Sequence, residues 1–465
     1  MTPSRSDTDA LLALDRNHLV HPVSAWRLHE QRGPLVLTEA RGARLVDAAG
    51  HELLDGFAGL WCVNVGYGQE SVVRAATEQL RLLPYATGYF DFASAPAIRL
   101  AAKLAEITPA SLTRAYLTLG GSEAVDAAVR FIVQYWNAVG RPSKKHFISL
   151  ERGYHGSSST GAGLTALPVF HRGFDLPLAT QHYIPSPNPY RHPQGGDAQA
   201  LIASSVAALR AKVAELGAEN VAAFFCEPIQ GSGGVIVPPV GWLKAMREAA
   251  RELDILFVVD EVITGFGRTG TMFACEAEGV EPDLMTLAKG LTSGYVPMGA
   301  TMLSEKVYAG IADGAPAGAP VGHGATYSGH PVGAAVALEV LRLYTEGGVL
   351  ANAQRVAPHF AAALDSLRAH PLVGDARCRG LLGALELVSD KATKRGFDPA
   401  LGLPDRLFAA AYRHGVVFRC FGDGILGFAP ALTFTESDVA ELFERVKKVL
   451  DEALGWPDVR AALAA

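Results

Sequence analysis

Lys289, Asp260 and Glu227 are the residues whose types and positions could do chemistry. Each closes or follows an apolar run: 221–226 ahead of Glu227, 255–259 ahead of Asp260, and 284–288 ahead of Lys289. Runs apolar on both faces predict parallel strands buried between helix layers. Open α/β sheets place ligands at the carboxyl ends of such strands. A buried lysine there loses its proton more readily, and the neutral amine is a nucleophile toward an aldehyde. A carboxylate one strand away can hold a proton on a pyridine nitrogen, which turns that ring into an electron sink. A structural salt bridge between Lys289 and Asp260 is the plain alternative.

Residues 115–119 followed by Gly120-Gly121-Ser122-Glu123 read as a strand, a tight turn and a helix start. Val125, Ala128, Val129, Ile132, Val133 and Trp136 mark one face of that helix. Free N–H groups and the positive end of the helix dipole make the junction an anion site, with Ser122 adding a hydroxyl. Ser122 as an ordinary N-cap is the alternative. A phosphate cup, an aspartate and a lysine together match the three contacts that pyridoxal 5′-phosphate needs. Tyr154, in Gly153-Tyr154-His155-Gly156, would stack on the ring or simply fill a buried loop. Residues 265–270 match GxGxxG, which raises a nicotinamide-dependent oxidoreductase as a rival. That fingerprint should follow its strand at once, whereas Asp260 to Thr264 intervene here. P-loop, zinc-protease and nucleophile-elbow motifs are absent.

Positioning these groups requires an α/β frame. Strand-like runs alternate with helical patterns over residues 70–330, which predicts a large α/β domain with a mostly parallel sheet between helices. Residues 1–69 and 331–465 are expected to form a smaller α+β domain beside it. Its last helix would be capped at Thr435, with Asp438 three residues on. The chain has 465 residues, 49% of them apolar, and a net charge of −6, which excludes a disordered chain and argues against nucleic acid as a partner. Only 19% of side chains are charged, which predicts surface hidden in an oligomer. The five cysteines form no CxxC, which points to a reducing cytoplasm and to no zinc-type metal site among them. The start has no apolar core of a signal peptide. The uncharged stretch 314–338 is broken by proline and glycine and reads as a loop entering a helix, so no membrane span is expected. The 49 glycines imply sharp turns or close approach to a ligand at many places.

Several segments carry a family resemblance: LWCVNVGYG (60–68), GGSEAVDAAVR (120–130), GYHGS (153–157), EPIQGSGGVIVPP (227–239), VVDEVITGFGRTG (258–270), AKGLTSGYVPMGA (288–300), HGATYSGHPVGAA (323–335) and VVFRCFGD (416–423). Through them the chain resembles the class III aminotransferases, the ω-transaminases of the fold-type I pyridoxal-phosphate enzymes, nearest the amine:pyruvate branch. The resemblance implies Lys289 as the Schiff-base lysine and proton shuttle, with Asp260 on the pyridine nitrogen. It places Gly121 and Ser122 on the phosphate, joined by Thr326 from the second subunit of a homodimer with active sites at the interface. Tyr154 and Val262 would cover the two ring faces. Trp61, Tyr89 and Tyr154 would line the substrate pocket. Arg419 would grip the keto-acid carboxylate, and Glu227 would pair with Arg419 when an amine lacking that carboxylate is bound. The implied reaction moves an amino group from a primary amine (a diamine, ω-amino acid or aralkyl amine) to pyruvate by ping-pong chemistry. A decarboxylase or aminomutase on the same fold is the alternative. Ala325 stands where many relatives carry phenylalanine, which implies a larger pocket. SPNPYR (186–191) is similar to members acting on diamines such as putrescine, and is equally a plain surface turn. The physiological amine, pyruvate against 2-oxoglutarate, enantiopreference and pairing of dimers into tetramers stay open.

Overall fold

Alternating residues of the central strands go to opposite hydrophobic clusters, which is what a sheet covered on both faces requires. Phe224, Phe257, Val259 and Met285 enter one cluster with Trp242 and Met246 of the helix Trp242–Glu252. Phe225, Val258 and Leu284 enter the other with Val125, Ala128 and Ile132 of the helix Gly121–Ala138. This computed structural model describes residues 5–316 and 318–464. The first four residues of the expected untargeted start, and Ala317 within the uncharged stretch, lie outside the described residues.

The main sheet has seven strands, in the order Leu112–Thr118, Gly299–Ser304, Leu284–Leu287, Leu256–Asp260, Val221–Cys226, His146–Leu150 and Gln181–Ile184. Only Gly299–Ser304 runs antiparallel to both neighbours. The remaining pairs from Leu284–Leu287 to Gln181–Ile184 are parallel. The expected α/β class with a mostly parallel sheet is therefore present. The expected strand at 115–119 begins earlier and ends at Thr118.

Two four-stranded sheets lie outside this one. The first contains Leu37–Arg41, Arg44–Asp47, Glu52–Asp55 and Val416–Val417, so distant parts of the chain meet in one sheet. The second contains Val373–Arg379, Leu382–Leu387, Ile425–Phe428 and Arg419–Cys420. The helix Glu436–Gly455 starts at Thr435 with a reciprocal capping box to Asp438, which satisfies amide groups that a helix end leaves bare. It buries Val439, Leu442, Phe443, Val446, Val449 and Leu450. The helix Glu305–Gly314 ends where the uncharged stretch begins, and the next helix starts at Pro331. Among the described residues no helix is long and apolar enough to cross a membrane. All five cysteines are free thiols.

Candidate active site

Three adjacent parallel strands end at one cavity of about 390 Å³. Its walls include Glu227, Asp260 and Lys289 from those strand ends, Gly121 and Ser122 from the start of the long helix, and Tyr154 and Val262 from two loops. Seven residues singled out in the sequence thus converge.

Asp260 is the last residue of its strand and is buried. Its Oδ1 accepts the N–H of Val262 at 3.1 Å, and its Oδ2 lies 2.8 Å from Nδ1 of His155. His155 is buried, and its Nε2 has no hydrogen-bond partner among the described residues. Burial alone would lower the His155 pKa, but the hydrogen bond and charge of Asp260 outweigh it and hold the imidazole above its ordinary value. The imidazole therefore backs the carboxylate as a proton donor and fixes its orientation.

Lys289 follows the neighbouring strand and adopts φ +47°, a left-handed conformation rare outside glycine and often found at functional sites. It touches the cavity yet lies deep enough that desolvation pulls its amine below the ordinary lysine pKa, against the charges of Asp260 and Glu227. More of the neutral, nucleophilic amine is present as a result. Glu227 is buried, and burial pushes its pKa up to about 7. Its Oε1 accepts the N–H of Tyr154 and its Oε2 that of Gly231, each at 2.9 Å. Glu227 makes no ion pair with Arg419 in this structure: both carboxylate oxygens are engaged by backbone amides, and Arg419 is exposed.

The glycine turn forms as expected, with one correction. The helix begins at Gly121, so Ser122 lies inside its first turn and does not cap it. Ser122 Oγ accepts the N–H of Ser157 at 3.1 Å, which ties the helix start to the loop carrying Tyr154. Gly156 has φ +104°, and a Cβ there would fall 2.6 Å from Ser122 Oγ. A Cβ on Gly121 would lie 3.1 Å from Val262. These residues fit pyridoxal phosphate: a helix N-terminus bare of side chain at Gly121, a hydroxyl at Ser122, Tyr154 and Val262 on the cavity wall, a braced carboxylate and a desolvated amine.

Trp61, Tyr89, Thr326 and Arg419 do not line the cavity of their own chain. Trp61 is buried in an apolar cluster with Phe57, Phe421 and Ile263, and Ile263 does reach the cavity. Tyr89 packs its hydroxyl where a Cβ of Gly324 would sit, and Tyr85 donates to the carbonyl of Thr326 at 2.9 Å. Tyr89 and Thr326 therefore share one exposed face. Arg419 stacks over Phe421 at 5.5 Å and makes no ion pair among the described residues. The 186–191 segment is also outside the cavity. It joins the main sheet to the outer one, with Arg191 bonded to Glu386 and Lys394 to the Tyr190 carbonyl. The GxGxxG match at 265–270 lies in a turn that opens no α-helix, so the dinucleotide reading has no structural support. His155 was not singled out in the sequence. Its only signal is a histidine between Tyr154 and a glycine.

The model of the family "Aminotransferase class-III" matches residues 27–450. The putrescine–pyruvate aminotransferase of Pseudomonas aeruginosa is 41% identical over 444 residues, covering 95% of each chain. The diaminobutyrate–2-oxoglutarate transaminase of Halomonas elongata is 37% identical over 449 residues, covering 95% of this chain and 96% of the relative. The crystal structure of the ω-transaminase from Pseudomonas jessenii in complex with PMP superposes with a TM-score of 0.93 at 37% identity, covering 96% of this chain and 98% of that one. The chain is a fold-type I protein and belongs to the class-III aminotransferases.

Proposed function

We propose that this protein is a pyridoxal-phosphate-dependent ω-transaminase that moves the amino group of a primary amine to pyruvate. The convergence of Lys289, the His155–Asp260 pair and Ser122 on one cavity carries this reading. The bound pyridine ring would withdraw electrons from the carbon that loses its proton. Lys289 Nζ would hold the cofactor between turnovers and move the proton of the amine-bearing carbon. Asp260, braced by His155, would keep a proton on the ring nitrogen. Gly121 and Ser122 would hold the phosphate, and Tyr154 and Val262 the ring plane. Arg419 receives the keto-acid carboxylate, for which its planar fork is suited. Among the described residues no acidic side chain pairs with it, which leaves it available for that role. Trp61 shapes the substrate side through Ile263, and Glu227 sets the polarity beside it.

Pyruvate as acceptor and a diamine among the donors are supported by the 41% identical putrescine–pyruvate relative. We infer a homodimer in which Tyr89 and Thr326 serve the partner's cavity. Phe90, in ring contact with Tyr89 on that face, is 84% exposed, which a lone subunit in water would not favour. The free cysteines support a cytoplasmic location. The sheet shared by residues 52–55 and 416–417 supports the division into 70–330 and a smaller unit built from 1–69 and 331–465.

Amino transfer from putrescine, β-alanine and 1-phenylethylamine tests the proposal, with pyruvate and 2-oxoglutarate offered separately. Alanine formation should dominate, and Arg419→Ala should raise the KM for pyruvate at least about tenfold while changing that of 1-phenylethylamine little. Faster glutamate formation with every donor would overturn the acceptor, and carbon dioxide release in place of amino transfer would favour the decarboxylase reading.

A further inference from the structure

Residues 7–32 form a helical hairpin with no buried residue. Its apolar side chains do not close on one another: Leu11, Leu14, Leu19, Val20 and Trp26 are 42% exposed or more. The helix Arg5–His18 is held against Trp26–Arg32 by polar contacts instead. Arg16 Nε donates to the carbonyl of Glu30 at 3.0 Å, and one carboxylate, Asp15, is shared by two imidazoles. Nε2 of His21 lies 2.6 Å from Asp15 Oδ1, and Nε2 of His29 lies 3.3 Å from Oδ2. The two rings lie with centroids 3.9 Å apart and their planes tilted by 40°. All three donor groups fall within 4.8 Å of one another, beside a small cavity of about 200 Å³.

We propose that Asp15, His21 and His29 form a divalent metal site of the zinc class that pins the N-terminal hairpin. Two imidazoles and one carboxylate are a zinc-type donor set, whereas calcium and magnesium favour oxygen donors alone. Zinc bonds of about 2.0–2.1 Å in a tetrahedron bring donors to roughly 3.3 Å from each other. The observed spacing brackets that value, so small side-chain rotations close the site and leave the fourth position to water. The metal supplies the linkage that an apolar core does not, as metals do in other small units.

The test uses the full-length holoenzyme stripped with a chelator and then titrated with zinc against a chromophoric competitor. The wild type should bind one zinc per chain at this site. His21→Ala and His29→Ala should each weaken binding at least tenfold, and the remote surface variant His359→Ala should not. Zinc should also slow proteolytic cleavage within residues 1–33 of the wild type and leave cleavage of His29→Ala unchanged. Binding that is equal in wild type, His21→Ala and His29→Ala, or no zinc binding by the wild type, overturns the site.

Discussion

Glu227 is ionisable and buried, and among the described residues its hydrogen bonds come from backbone amides, so its protonation is coupled to folding. Burial raises its pKa from 4.5 to about 7, and the charge of Asp260 adds to the rise against His155 and the Tyr154 and Gly231 amides. Below pH 4.5 the group is protonated in the folded and unfolded chains alike. Between 4.5 and about 7 the unfolded chain releases its proton first, so the folded state loses stability as pH rises through that window, by about 3 kcal/mol at most. Glu227→Gln cannot titrate. Its thermal midpoint relative to wild type should therefore rise from pH 5 to pH 8, and parallel pH profiles would show that Glu227 is already ionised at pH 5. At this scale the sequence was legible where a residue's place follows from its strand. Lys289, Asp260 and Glu227 end three neighbouring strands because three apolar runs end there. His155 was not legible, because its role depends on a 2.8 Å contact with a residue more than a hundred positions away. The amide partners of Glu227 were hidden for the same reason.

Elements were legible where a single periodicity dominates. The long helix after Gly120 and the capped helix after Thr435 follow from their apolar stripes, and the buried strands from their unbroken apolar runs. The antiparallel strand Gly299–Ser304 was not, since a fully buried strand reads alike in either direction. The glycine surplus also divides at this scale. Gly233 and Gly265 are crowded by the protein's own backbone, and Gly270 and Gly322 face open space, so close packing around a ligand explains only part of the excess. Gly156 is where the element and the site meet. Its left-handed φ and its approach to Ser122 make any side chain a wedge between the helix start and the Tyr154 loop. Gly156→Ala should cost about 2–4 kcal/mol and weaken cofactor binding. Gly396→Ala, at a position with nothing within 4 Å of a Cβ and no left-handed φ, should do neither. Equal melting shifts and equal cofactor affinities for the two variants would remove Gly156 from the phosphate cradle.

Over the whole molecule, one chain assembles the lysine, the carboxylate and the helix start but leaves Tyr89 and Thr326 on an exposed apolar face. The low charge in the sequence indicated hidden surface. The face proposed for it, where residues near 89 and near 326 meet in space, is visible only in the folded chain. If each cavity takes Thr326 from the partner, Lys289→Ala and Thr326→Asp chains, each inactive alone, should regain about a quarter of wild-type activity after subunit mixing. No recovery after verified exchange would place Thr326 outside the partner's site. The proposed function rests above all on Lys289 as the residue that carries the cofactor. Borohydride reduction of the enzyme loaded with pyridoxal phosphate, followed by peptide mass analysis, tests it most directly. The phosphopyridoxyl label should fall on Lys289 and disappear in Lys289→Ala. A label on another lysine, or none, would contradict it.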